Sequence, residues 1–157
     1  HGITSFNSLS AELDNITVYD CDVGIRGSGT ANPIARNCVT IGCTTDYASS
    51  FSASSSNNAA NSATQPGTAP VTLTTDVVTD YFTSAADFHV DSGATHYLEL
   101  VNTGVTVTGF TDDIDGDTRA SWDIGADEYI SGGTGAIEPE TNYKIRLKNK
   151  YAGQNRI

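Results

Sequence analysis

Several residue types are scarce in this 157-residue sequence, and each scarcity excludes a class of protein. Eight basic residues face 19 acidic ones, and the resulting net charge of −11 argues against nucleic acid or an anionic membrane as a partner. No apolar run approaches the ~20 residues of a membrane span, so we expect no membrane insertion. Three cysteines, an odd number, do not make a disulfide framework. Methionine is absent and the chain begins at His1, which suggests a processed chain or a piece of a longer one.

The remaining composition is rich in Ser, Thr, Asn and Gly and has little lysine. These residues have low helix propensity and occur in turns and exposed strands. The length corresponds to about one domain. We therefore expect an all-β protein of the cell exterior or of a virion surface.

Charge is strongly segregated along the chain. Residues 1–140 contain all 19 acidic residues and three basic ones, a net charge of −16, whereas residues 141–157 carry a charge of +5. The tail alternates apolar and basic side chains with the period of two that is typical of a strand. A short strand beyond the Gly-rich hinge at 131–140 cannot bury its apolar side alone. We therefore predict that it docks on a protein partner, such as a capsid, a fibre or a neighbouring subunit; packing on the acidic body is the alternative. The predicted docking residues are Tyr143, Lys144, Ile145, Arg146, Leu147, Lys148 and Lys150.

A weak internal repeat occupies the first half of the chain. Asn15 aligns with Asn37, and Cys21 aligns with Cys43, in both cases 22 residues apart. A period in the twenties with Asn at a fixed corner is typical of a solenoid, because Asn tolerates left-handed backbone angles and its amide can bond to the next repeat. Two strands of an ordinary sandwich are the alternative. The predicted inward positions are Ile16, Val18, Ile25, Cys38, Thr40 and Tyr47.

This pattern divides the chain into four regions. Residues 1–70 are predicted to form the repeated coils, and residues 71–130 the terminal coil and a capping region. Within the latter, strands are expected at residues 71–73, 77–82 and 87–90. Residues 131–140 form the hinge and residues 141–157 the basic docking tail.

Residues 112–129 read DDIDGDTRASWDIGADEY and are the most specific stretch of the chain. The pattern DxDGDxR…WDIGADEY resembles the end of secreted and phage-borne right-handed parallel β-helix proteins of the pectate-lyase-like superfamily. The resemblance implies about three coils, followed by a strand-rich cap. Trp122 is interpreted as a buried residue of that cap, and a sugar-stacking platform is its alternative. The predicted cap residues are Arg119, Trp122, Ile124 and Tyr129.

The acidic turn around Gly116 is the candidate metal site. Asp113, Asp115 and Asp117 stand at alternate positions, and carboxylate oxygens are the ligands that calcium prefers. The pattern lacks the spacing and the final Glu of an EF-hand. The alternative is a solvated tight turn in which Arg119 pairs with one aspartate. No cofactor other than this calcium is predicted.

A second resemblance concerns catalysis. His1 and Arg26 stand in segments similar to those of polygalacturonase-type glycosidases, which would place both residues in an active site. The paired catalytic carboxylates of that family have no counterpart in this chain, and glycoside hydrolysis needs two. We therefore expect a non-catalytic structural or adhesive module of a virion or secreted bacterial surface protein, with polysaccharide as a further partner. The alternative is the non-catalytic end of a polysaccharide-degrading enzyme.

Overall fold

The computed structural model describes residues 2–5, 11–27 and 32–131. This part of the chain is all-β, as predicted, with eleven short strands and two 3-10 helices. The helices are Val78–Asp80 and Tyr97–Glu99. The strands are β1 Ile3–Ser5, β2 Glu12–Asp14, β3 Thr17–Tyr19, β4 Val23–Gly27, β5 Ile34–Arg36, β6 Val39–Ile41, β7 Thr45–Ala48, β8 Ala59–Ala60, β9 Val71–Thr72, β10 Phe82–Ser84 and β11 Asp87–Val90.

The strands β1 to β9 form three parallel sheets, of order β1-β4-β7, β2-β5 and β3-β6-β8-β9. Residue pairs across the first two repeats are 22 positions apart, as in Val18 opposite Thr40. The predicted repeat is therefore confirmed. The spacing then shortens, because Val39 pairs with Ala59 and Ala59 pairs with Val71. Strands β10 and β11 form a separate antiparallel hairpin.

Asparagines stand at the corners between sheets, as predicted. Asn15, Asn37 and Asn57 all have left-handed backbone angles, with φ of 53°, 53° and 51°. The Asn37 amide donates to Asn15 Oδ1 at 3.2 Å, so the first two repeats are joined side chain to side chain. Asn57 does not extend this ladder; its amide donates to the Thr103 carbonyl at 2.8 Å.

Two hydrophobic clusters lie on opposite sides of the sheet formed by β3, β6, β8 and β9. The inner cluster lies between the three parallel sheets and includes Val18, Ile25, Cys38 and Tyr47. Most predicted inward positions are buried, while Ile16 is half-buried. The outer cluster joins the other face of β6 to the 3-10 helices and the hairpin. Its buried members are Val39, Ile41, Ala59, Leu73, Val78, Tyr81, Phe82, Val90, Leu100, Val101 and Ile124.

The segment 77–82 was predicted to be one strand, and this is wrong. Val78–Asp80 is a 3-10 helix, and strand β10 begins at Phe82. Val78 and Tyr81 are both buried in the outer cluster. Residues three apart lie on one face of a 3-10 turn but on opposite faces of a strand, so the turn is the conformation that buries both.

The three cysteines are free, as expected: Cys38 is fully buried, and Cys21 and Cys43 are half-buried. Among the described residues there is no helix with the length and apolar character needed to cross a membrane.

Candidate functional site

The acidic turn, residues 112–118, is closed by a bridge between Asp112 and Thr118. Asp113 organises it: Oδ1 accepts the N–H groups of Asp115 and Asp117, both at 2.9 Å, and Oδ2 accepts the N–H of Glu128 at 3.1 Å. Both Asp113 oxygens thus serve the backbone, and the Asp115 and Asp117 residues are exposed. Calcium at Asp113, Asp115 and Asp117 stays a prediction.

The turn contacts the hairpin through His89. Its Nε2 lies 2.6 Å from Asp115 Oδ2, and its Nδ1 is hydrogen-bonded to Asp87. Burial lowers the pKa of His89, but the bonds to Asp87 and Asp115 outweigh it and raise that pKa to about 9. His89 lies at the surface, with its side chain 46% exposed. Its carboxylate partners were missed, because Asp115 is 26 residues away along the chain.

Asp127 completes this group from a third segment. One oxygen each of Asp115 and Asp127 and one ring nitrogen of His89 all lie within 4.8 Å of one another. Asp127 is 6% exposed, and its Oδ2 accepts the Val90 N–H at 2.7 Å. Burial raises the pKa of Asp127 to about 6, against the opposing effect of that hydrogen bond. We call His89, Asp115 and Asp127 the His–Asp–Asp cluster.

We call residues 119–129 the closing segment. Its buried first residue, Arg119, forms hydrogen bonds with the end of the same segment. Its guanidinium donates to the carbonyl of Ala126 at 2.6 Å and to the Glu128 carboxylate at 3.3 Å. It also lies 5.5 Å from the Trp122 ring centre. Arg119 therefore pairs with Glu128. The tight-turn alternative had predicted that it pairs with an aspartate of the turn.

Both Trp122 and Ile124 are buried in this segment, at 7% and 0% exposure. The Trp122 ring packs edge-on against Phe110 at 5.6 Å and under Arg119. A sugar could not stack on a ring so enclosed, so the geometry argues against the sugar-platform interpretation. Tyr129 is half-buried and packs edge-on against Tyr97 at 5.6 Å.

Buried and exposed residues do not alternate in the closing segment, where residues 122–125 are all buried. Asp123 is 1% exposed and lies outside any strand. Its two oxygens accept the N–H groups of Asn102 and Tyr129, both at 2.6 Å. Burial raises the pKa of Asp123 to about 6, against the effect of these two donors. Asp123 and Asp127 thus both accept hydrogen bonds from backbone N–H groups inside the fold.

The closing segment and the chain before it run along the asparagine corners of all three repeats. Asn57 and Asn37 each bond to this stretch, the latter by donating to the Val105 carbonyl and accepting its N–H, both at 2.7 Å. In the first repeat, Thr17 Oγ1 accepts the Ala126 N–H at 3.0 Å. These contacts lie along the side of the parallel sheets, so the segment predicted as the cap contacts the first repeat as well as the last.

Other sequence-predicted residues do not enter this site. Arg26 is half-buried in β4, and the neighbouring Asp20 and Asp22 are exposed. His1, the hinge from residue 132 onward and the whole docking set lie outside the described residues; that set is Tyr143, Lys144, Ile145, Arg146, Leu147, Lys148 and Lys150.

The chain matches no protein-family model, and no curated protein or solved structure matches it either.

Proposed function

We propose that this chain is the end of a right-handed parallel β-helix and serves as a non-catalytic structural or adhesive module. The observation that carries the proposal is the stacking of three parallel sheets with a 22-residue register, as in Ile3 opposite Ile25 and Leu13 opposite Ala35. A chain that returns to each sheet once per repeat winds as a solenoid. The handedness and the kinship with the pectate-lyase-like superfamily rest on the residues quoted above.

The use of the buried acidic groups supports a structural role. Asp46 accepts hydrogen bonds from the Thr40 and Ser62 hydroxyls, and Glu128 accepts them from the backbone of Ser121 and Asp123. Inside the fold, these carboxylates accept the hydrogen bonds that water would otherwise accept from backbone N–H and hydroxyl groups. A general acid or base instead needs its carboxyl group within reach of a substrate.

The proposed place of action is the surface of a virion or of a secreted bacterial protein. The described part of the chain is acidic, while the tail at residues 141–157 carries +5. Opposite charges speed association and fix its orientation. We propose that the tail docks on a protein partner, and that the exposed polar surface of the repeats makes the weaker contacts, including those to polysaccharide.

The deciding experiment compares the full chain with a chain that ends at Glu140, each added back to a particle or surface assembly depleted of this protein. Incorporation should require the tail. A matched full-length variant with Lys144, Arg146 and Lys148 changed to Gln tests the charge alone. It should incorporate more weakly than the unchanged chain at low salt, and the difference should shrink as salt is raised. Equal incorporation of the truncated chain would refute docking through the tail. Release of sugar fragments from the host polysaccharide by the full chain would refute a non-catalytic role.

A further inference from the structure

The His–Asp–Asp cluster combines the donor types that divalent transition metals take from proteins. Imidazole nitrogen and carboxylate oxygen are both ligands of Zn²⁺, at about 2.0–2.2 Å. The three donor atoms already lie within 4.8 Å of one another. Asp115 is exposed and lies in a turn, so its carboxylate is free to adjust to an ion.

The orientation of His89 fits metal binding. Asp87 holds Nδ1 by a hydrogen bond, which leaves Nε2 directed toward Asp115. A carboxylate behind a ligating histidine fixes the ring and its tautomer, and this arrangement recurs around zinc sites. Asp87 is thus a positioning residue for His89 and would itself not touch the ion.

Asp127 supplies an independent argument. Asp127 is a buried residue, 6% exposed, and its Oδ2 accepts the Val90 N–H. Two basic side chains, His89 and Arg119, interact electrostatically with the Asp127 carboxylate, but neither forms its ion pair with it. His89 pairs with Asp87 and Asp115, and Arg119 pairs with Glu128. A buried carboxylate is costly unless a charge or metal compensates it. The carboxylates of Asp87, Asp115 and Asp127 all surround the His89 ring, and a divalent ion bound there would offset their negative charge.

We propose that His89, Asp115 and Asp127 bind a divalent transition-metal ion, of which Zn²⁺ is the representative. The three ligands come from strand β11, the acidic turn and the closing segment. The ion would therefore join the hairpin to two later segments, whose ligands lie 26 and 38 residues further along the chain. Three protein ligands leave a coordination position open to water at the exposed side of the cluster. This site differs from the calcium site at Asp113, Asp115 and Asp117, with which it shares one residue.

The test uses the full chain, without an affinity tag, stripped with a chelator and titrated with Zn²⁺ by calorimetry. We expect one site with micromolar affinity. Replacing Asp115 by Asn keeps the shape of an exposed residue and should weaken binding at least tenfold, as should His89→Ala. His96→Ala and Asp117→Asn are the matched controls, since neither residue belongs to the cluster, and their affinities should equal that of the unchanged chain.

Two further measurements separate the cluster from other binders. Co²⁺ bound to thiolate gives an intense near-ultraviolet band, so a spectrum without that band excludes Cys21 and Cys43 as the ligands. Zn²⁺ at a hundredfold excess over its dissociation constant should raise the melting temperature by about 5 °C or more, and not in Asp115→Asn. Three results would overturn the proposal: no Zn²⁺ binding at micromolar concentration, unchanged affinity in Asp115→Asn, or lost affinity in Asp117→Asn together with a preference for Ca²⁺.

Discussion

Replacing Asn37 by Ala tests how much the asparagine corners contribute to stability. The Asn37 side chain is fully buried and makes one hydrogen bond to Asn15 and two to the backbone of Val105. Alanine removes all three and leaves the Val105 groups unpaired, at about 1–3 kcal/mol for each buried group. It also tolerates the φ of 53° less well, which adds about 1 kcal/mol. We expect the free energy of unfolding to fall by about 3–7 kcal/mol.

Urea unfolding followed by the fluorescence of Trp122 measures this loss. Asn102→Ala is the matched control, because Asn102 has a φ of 57° but is exposed, so it reports the backbone cost of about 1 kcal/mol alone. Asn37→Gly provides the complement, since glycine accepts the backbone angle and loses only the side-chain bonds. If Asn37→Ala costs no more than Asn102→Ala, the hydrogen bonds of the corner contribute nothing and the reasoning is refuted.

Three further predictions concern buried polar groups. Burial raises the pKa of Asp123 from 3.8 to about 6, so the folded chain binds a proton at Asp123 more readily than the unfolded chain does. The free energy of unfolding should therefore increase by about 1 kcal/mol from pH 7 to pH 5. An unchanged pH dependence in Asp123→Asn would contradict this. Burial raises the pKa of the Cys38 thiol to about 12, so iodoacetamide at pH 8 should label Cys21 in the native chain well before Cys38, as mass mapping of peptides would show. Arg119→Lys should lower the free energy of unfolding, measured in urea, by about 3 kcal/mol, because an ammonium group cannot replace the guanidinium that bonds to both Ala126 and Glu128. A loss under about 1 kcal/mol would contradict this prediction.

The repeated part of the fold could be predicted from the sequence because its signal is local. Asn15 and Asn37 mark the same corner one repeat apart, and the strands after them pair in that register. Segment 77–82 gave no such signal. Its apolar residues, interrupted by Thr79 and Asp80, are compatible with a strand and with a 3-10 turn. The burial of both Val78 and Tyr81 in the outer cluster decides between the two.

The candidate site could be predicted only in part. The acidic turn stands out in the sequence, and Asp113 does organise it. The partners of His89 and Asp127 come from segments 26 and 37 residues away, and no spacing rule brings such residues together. Burial of Asp123 likewise depends on backbone N–H groups whose positions only the folded chain defines.

The bonds between the closing segment and the three corners have a consequence for how the molecule unfolds. A stack in which each repeat contacts only its neighbours frays from its ends. Here Thr17 of the first repeat and Asn37 of the second are both bonded to residues 105–126, about 68 to 109 positions further along the chain. The first repeat cannot fray without releasing the segment that also holds the second. We therefore expect a single cooperative transition, and slow folding, since the repeats leave the ribosome well before the residues that lock them together.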